Sequence, residues 1–243
     1  MEIWNRALVF IKSFLKWVLI AALVGGISGA VGTLFRVTVE HANLLWQANR
    51  WLVFLLPAGG LLIAGLYRLA QMESSIGTDR VTRSVRAESS VPVRLGPLIF
   101  ISTAITPPLG GSAGRVGAAL QIGGSIGCQV GRLFRQDDRN VRVATMCGMS
   151  AVFAALFGTP LTAAVFALEV LTVGVFYYMA FIPCLIAALT GYGVSLLFRL
   201  PPTRFAILEA FDLSPAGVLQ IMALSVLCAL VSLAFCVSMH KTE

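Results

Sequence analysis

The chain has 243 residues, 58% of them hydrophobic and only 12% charged, with a mean hydropathy of +0.87. So little charge excludes an ordinary soluble domain, and the uncharged runs recur near the ~20 residues that cross a hydrocarbon core. The net charge of +7 and pI near 9.6 do not point to nucleic acid, because the Lys and Arg residues fall between the apolar runs.

The main runs are Trp17 to Phe35, Trp51 to Tyr67, Leu95 to Gly114, Val143 to Leu168, Val170 to Phe198 and Leu213 to Met239. They predict an all-α, polytopic integral membrane protein forming a single transmembrane domain over residues 1–243. Lys12 and Lys16 precede the first run as in a signal peptide. That run is too long, Gly-rich rather than Leu-rich, and lacks a small-x-small cleavage site, so it reads as a retained span. Gly25, Gly26, Ser28, Gly29 and Gly32 give it a stripe on which another helix can pack closely. The second span passes Pro57, Gly59 and Gly60, breakers that survive in a bilayer where neighbouring protein satisfies the loosened backbone. Arg6, Lys12 and Lys16 before the first span, and Arg80, Arg83, Arg86 and Arg94 after the second, place both flanks and the N-terminus on the cytoplasmic side.

Gln71 to Arg94 is the one long polar stretch, read as a loop with a short helix starting near Thr78 or Asp79, either of which can cap exposed N–H groups. The third run meets Pro107 and Pro108 and then the glycine-rich stretch from Gly110 to Gly127. Irregular backbone at membrane depth borders a cavity or pore. Gly114-Arg115-Val116-Gly117 opens a helix-like run, Ala118 to Ile122. A helix beginning inside the membrane aims unpaired N–H groups and about half a positive charge at its mouth, which attracts an anion without a full countercharge and so permits rapid release. The same glycines also suit close helix packing, and on the sequence alone both readings stand. No GxxxxGK[ST] follows a strand, so the stretch is not a nucleotide loop.

Val143 to Leu168 is broken at Gly158-Thr159-Pro160 and reads as two half-length helices with a turn between them. The next run carries Pro183 and Gly191 and stops at Arg199, Pro201 and Pro202, and the last span ends at His240 and Lys241. Cys128, Cys147, Cys184, Cys228 and Cys236 show no ligand spacing and are expected to be small buried residues. With His41 and His240 as its only histidines, and no nucleophile/base pair in view, the chain is read as neither a zinc protein nor an enzyme, and no cofactor is implied.

Gly114-Arg115-Val116-Gly117-Ala118, followed by Gln121-Ile122-Gly123, resembles the G-[KR]-E-G-[PA] motif and downstream V-Q-I-G of the CLC family of chloride channels and anion/proton antiporters. The run from Gly148 to Leu161 resembles the family's G-x-x-A-x-x-A-A-x-F-x-x-P-L, and Phe166-Ala167-Leu168-Glu169 its F-x-I-E ending. The likeness is close from Gly110 to Val170 and loose before Leu95.

The resemblance implies broken, half-spanning helices and one half of an inverted-repeat fold, with the second half's G-x-F-x-P and central-site Tyr absent. It implies a path for chloride or a related halide lined by Thr78, Gly114, Arg115, Val116, Gly117 and Ala118. The family's gating glutamate falls on Val116, as in the renal channel members, and its inner proton-relay glutamate falls on Val170. Neither can ionise, so passive conduction is expected. Glu169, whose counterpart channels and transporters share, is expected to have a structural hydrogen-bonding role. The family's G-S-G-I-P is matched weakly by Gly77-Thr78-Asp79-Arg80-Val81, and the fluoride-transporting branch also departs there, which leaves the halide open. A homodimer in a bacterial inner membrane follows by resemblance. The rival readings are a nonconducting half-length fragment or assembly partner that needs a separate C-terminal half, and a fluoride/chloride–proton antiporter variant.

Overall fold

The computed structural model describes residues 2–72, 91–170, 177–199 and 214–242. They form eight α-helices: α1 (Glu2–Ala48), α2 (Leu56–Leu69), α3 (Leu95–Ile105), α4 (Arg115–Leu133), α5 (Asp138–Phe157), α6 (Pro160–Glu169), α7 (Tyr178–Leu197) and α8 (Pro215–Thr242). Single 3-10 segments, Arg50–Leu55 and Pro107–Leu109, lead into α2 and follow α3. Among the described residues, five stretches are long and apolar enough to cross a bilayer, and the all-α, polytopic membrane class holds.

The chain divides into two compact units, Met1–Thr203 and Arg204–Glu243. The first contains α1 to α7 and is built around α5, whose residues from Val143 to Leu156 are buried almost without interruption. α4 packs antiparallel to α5. A Cβ at Gly123 would run into the Gly148 carbonyl, and one at Gly127 would meet that of Ala144, so the absence of side chains sets the helix separation. α1 and α7 run parallel to α5. Gly29 of α1 faces Gly191 of α7, Gly32 faces Val152 of α5, and the Ser150 hydroxyl donates to the Cys184 carbonyl at 3.0 Å. The second unit contains α8, which is apolar all round and exposed along most of its length, as suits a helix whose solvent is lipid.

Several boundaries differ from the sequence reading. The first span does not stop at Phe35, because Arg36 donates from Nε to Glu40 Oε1 at 2.8 Å one turn on, and the helix continues to Ala48. The Val143 to Leu168 run is not two equal halves: α5 is 20 residues long, or about 30 Å, and α6 is 10. Cys128, Cys147 and Cys184 are buried as expected, whereas Cys228 and Cys236, on α8 of the second unit, are exposed. The short helix expected near Thr78 or Asp79 lies outside the described residues.

Candidate functional site

Gly158, at φ +74°, ends α5 in the left-handed conformation that glycine adopts without a Cβ clash. The turn it makes sends α6 back along α5: Phe153 and Phe166 stack with centroids 4.6 Å apart, and Ala154 and Ala163 share a small buried cluster. α6 therefore starts at the end where α5 stops. The antiparallel register that pairs Gly123 with Gly148 and Gly127 with Ala144 carries Arg115 and Val116 to the level of the same α5 terminus. Two helix N-termini, those of α4 and α6, thus open at one level.

Neither terminus is closed by its own side chains. Gly114 caps α4 in an extended conformation (φ −69°, ψ 128°), Thr159 caps α6 (φ −124°, ψ 78°), and neither makes a side-chain capping bond or has an acid in its first turn. The orphan N–H groups and positive dipole ends of both helices are thus not satisfied by their own cap residues, and such termini attract anions. Arg115 is exposed on the first turn of α4 and adds charge of the same sign. Gly114 and Val116 are exposed too, Gly117 is half-buried, and Ala118 is buried against the core.

The other sequence candidates are dispersed. Val170 follows α6, half-buried and packed on the core, at the opposite end of that helix from its open N-terminus. Glu169 is exposed as the last residue of α6. Thr78 lies outside the described residues.

Two features at this level escaped the sequence reading. The first is the α6 mouth at Thr159 and Pro160. Its signal was visible, a hydroxyl cap before a proline at the first helical position, but the direction in which α6 leaves α5 was not. The second is Arg36, 7% exposed and paired with Glu40. Counting one turn on from the Gly32–Val152 contact puts it level with Leu156 at the end of α5, so a buried cation stands at the depth where the two helices open.

Comparison with known proteins adds the following. The family model described as voltage gated chloride channel matches residues 59–243. A chloride/fluoride channel protein of Pseudomonas syringae pv. tomato is 32% identical over 227 residues, covering 93% of this chain and 50% of that protein. The crystal structure of a CLC-type fluoride/proton antiporter superposes with a TM-score of 0.82 at 30% identity, over 88% of this chain and 54% of the other. A slow cyanobacterial Cl-/H+ antiporter, with a TM-score of 0.71 at 22% identity over 87% of this chain and 53% of the other, shares the fold. The chain spans about half the length of the relatives it matches.

Proposed function

Since the chain belongs to the voltage gated chloride channel family, we propose that it contributes one half of a transmembrane path for a small halide, chloride or fluoride, and that the path is passive. The observation that carries the proposal is the pair of uncapped helix N-termini at one level, with Val116 on the first turn of α4 and 40% exposed. An anion entering there meets backbone donors and dipole charge, and the first turn of neither helix carries a carboxylate that must move aside or carry a proton. Val170 supports the same reading from the far end of α6, because coupled proton transfer needs titratable groups in series. Thr78, Gly114, Arg115, Gly117 and Ala118 are assigned to the anion path with Val116, and the α6 terminus at Thr159 is added to them.

The second reading is a half-length subunit that conducts only when a C-terminal half, or a second copy, completes the wall. The exposure of Gly114, Arg115 and Val116 at the α4 mouth favours it. Purified protein in liposomes loaded with chloride or fluoride separates the two when efflux and internal pH are recorded together. Efflux of either ion without proton movement is the expected result. Uphill proton movement at fixed stoichiometry overturns the passive assignment, and no efflux at matched protein density leaves the half-subunit reading.

The proposed orientation is N-terminus cytoplasmic. Lys12 and Lys16 of α1, Arg94 before α3, Arg132 and Arg135 at the end of α4, and Arg139 and Arg142 of α5 collect at one end of the first unit. This is the distribution that the positive-inside rule assigns to the cytoplasmic face.

A further inference from the structure

Between α1, α3 and α4 the first unit carries an open groove of about 500 Å³. Ile27 and Leu34 line it from α1, Val93 and Ile101 mark its two ends along the α3 side, and Ile122 and Val130 do so along α4. Helices α3 and α4 are antiparallel here, since a Cβ at Gly96 would touch Ser125, and the Gln129 amide donates to the Val91 carbonyl at 2.8 Å. The groove thus begins where α3 starts and α4 ends, and it runs inward over eight residues of each helix, about 12 Å at 1.5 Å per residue. One leaflet of a hydrocarbon core is about 15 Å deep.

The mouth of the groove is cationic. Arg94 follows Val93 and sits at the start of α3, Arg132 lies one turn beyond Gln129 on the same stripe of α4, and Arg135 follows in a left-handed turn. All three are exposed, and none is ion-paired among the described residues. The acids nearest Arg132 and Arg135 in the chain are Asp137 and Asp138, and Asp137 accepts a hydrogen bond from Asn140; the acid nearest Arg94 is Glu88, which lies outside the described residues.

We propose that this groove is a binding site for an anionic phospholipid of the basic-side leaflet. One acyl chain lies along α3 and α4 toward the bilayer midplane, and the phosphate sits at the guanidinium groups of Arg94 and Arg132. Two independent features of the surface coincide: an apolar trough of leaflet depth, and planar cations suited to phosphate at its interfacial end, none of them ion-paired among the described residues. A neutral headgroup has the same chain and lacks the charge, while a free phosphate has the charge and lacks the chain. The site does not depend on the chain conducting anions.

Native mass spectrometry of the detergent-purified chain, titrated with phosphatidylglycerol, phosphatidylcholine of the same acyl composition, or inorganic phosphate, tests this. Phosphatidylglycerol is expected to occupy one site at least fivefold more tightly than phosphatidylcholine, and inorganic phosphate not to displace it. The double variant Arg94→Gln/Arg132→Gln should abolish the preference while keeping the weaker binding of phosphatidylcholine. Ile101→Trp, which fills the inner end, should weaken both lipids; if that variant does not fold, Val93→Trp at the exposed outer end serves instead. Equal affinity for the two lipids, an undiminished preference without the arginines, or displacement by phosphate overturns the proposal. So does a dimer cross-linked through Ile101→Cys, which would show a second copy in the groove.

Discussion

At Val116 the positive end of the α4 dipole meets a side chain that cannot ionise, and the passive reading proposed above turns on that position. A carboxylate placed there would be favoured by the uncapped N–H groups and the dipole, by about 0.3–2 kcal/mol depending on burial. Its negative charge would occupy the space an anion needs. We therefore expect Val116→Glu to slow halide efflux from liposomes about tenfold at pH 7, the kinetic equivalent of ~1.4 kcal/mol. The dipole favours the charged form, so the block persists above the new carboxyl's pKa and is relieved as pH falls through it. The parent chain, with valine there, should show no such relief, and efflux recorded from pH 7 down to 4 checks both. That a helix opens at Gly114-Arg115-Val116-Gly117 was legible in the sequence, and α4 begins there. Arg36 was not, because a lone arginine after an apolar run reads as the end of a span, whereas the helix carries it on, buried and paired i, i+4 with Glu40.

Glycines act on the helices as spacers more than as breakers. Gly123 and Gly148 let the α4 and α5 backbones meet, whereas a Cβ on Gly26 would meet nothing within 4 Å. Ala substitution should then divide the glycines by location. Gly123→Ala forces the α4–α5 pair apart, an overpacking cost of about 1–3 kcal/mol, and should lower the unfolding temperature in detergent. Gly26→Ala should leave it unchanged or raise it, since alanine is the better helix former by up to ~1 kcal/mol. Equal behaviour of the two variants would mean that the α4–α5 spacing does not depend on the missing side chain. Both glycines looked alike in the sequence, where each belonged to a small-residue stripe. What distinguishes them is the face each helix turns to its neighbour, and a stripe shared by several faces leaves that undetermined. The reversal of α6 was hidden for a related reason: Gly158-Thr159-Pro160 announces a break, but the sign of φ at Gly158 decides where the chain goes next.

Across the first unit, charge and direction agree in a way that local motifs do not reveal. α1, α3, α5 and α7 begin at the end where α4 finishes, and Lys12, Lys16, Arg94, Arg132, Arg135, Arg139 and Arg142 gather there, against Arg36, Arg50, Arg115 and Arg199 toward the other end. Arg50, in the connection after α1, stands at the other end of α1 from Lys12 and Lys16. If the basic end faces the cytoplasm, the two ends should differ in access from outside an intact cell. In a background where Cys228 and Cys236 are replaced by Ser, leaving the three buried cysteines, Arg50→Cys should react with a membrane-impermeant maleimide added to whole cells. Arg132→Cys should react only after permeabilisation. The opposite pattern would put the basic end outside, against the retention of Lys and Arg on the cytoplasmic side, and would place the open termini of α4 and α6 toward the cytoplasmic half of the bilayer instead of the outer half. An anion would then reach the Val116 mouth from within the cell, so this labelling also fixes the side from which the Val116→Glu block must be read.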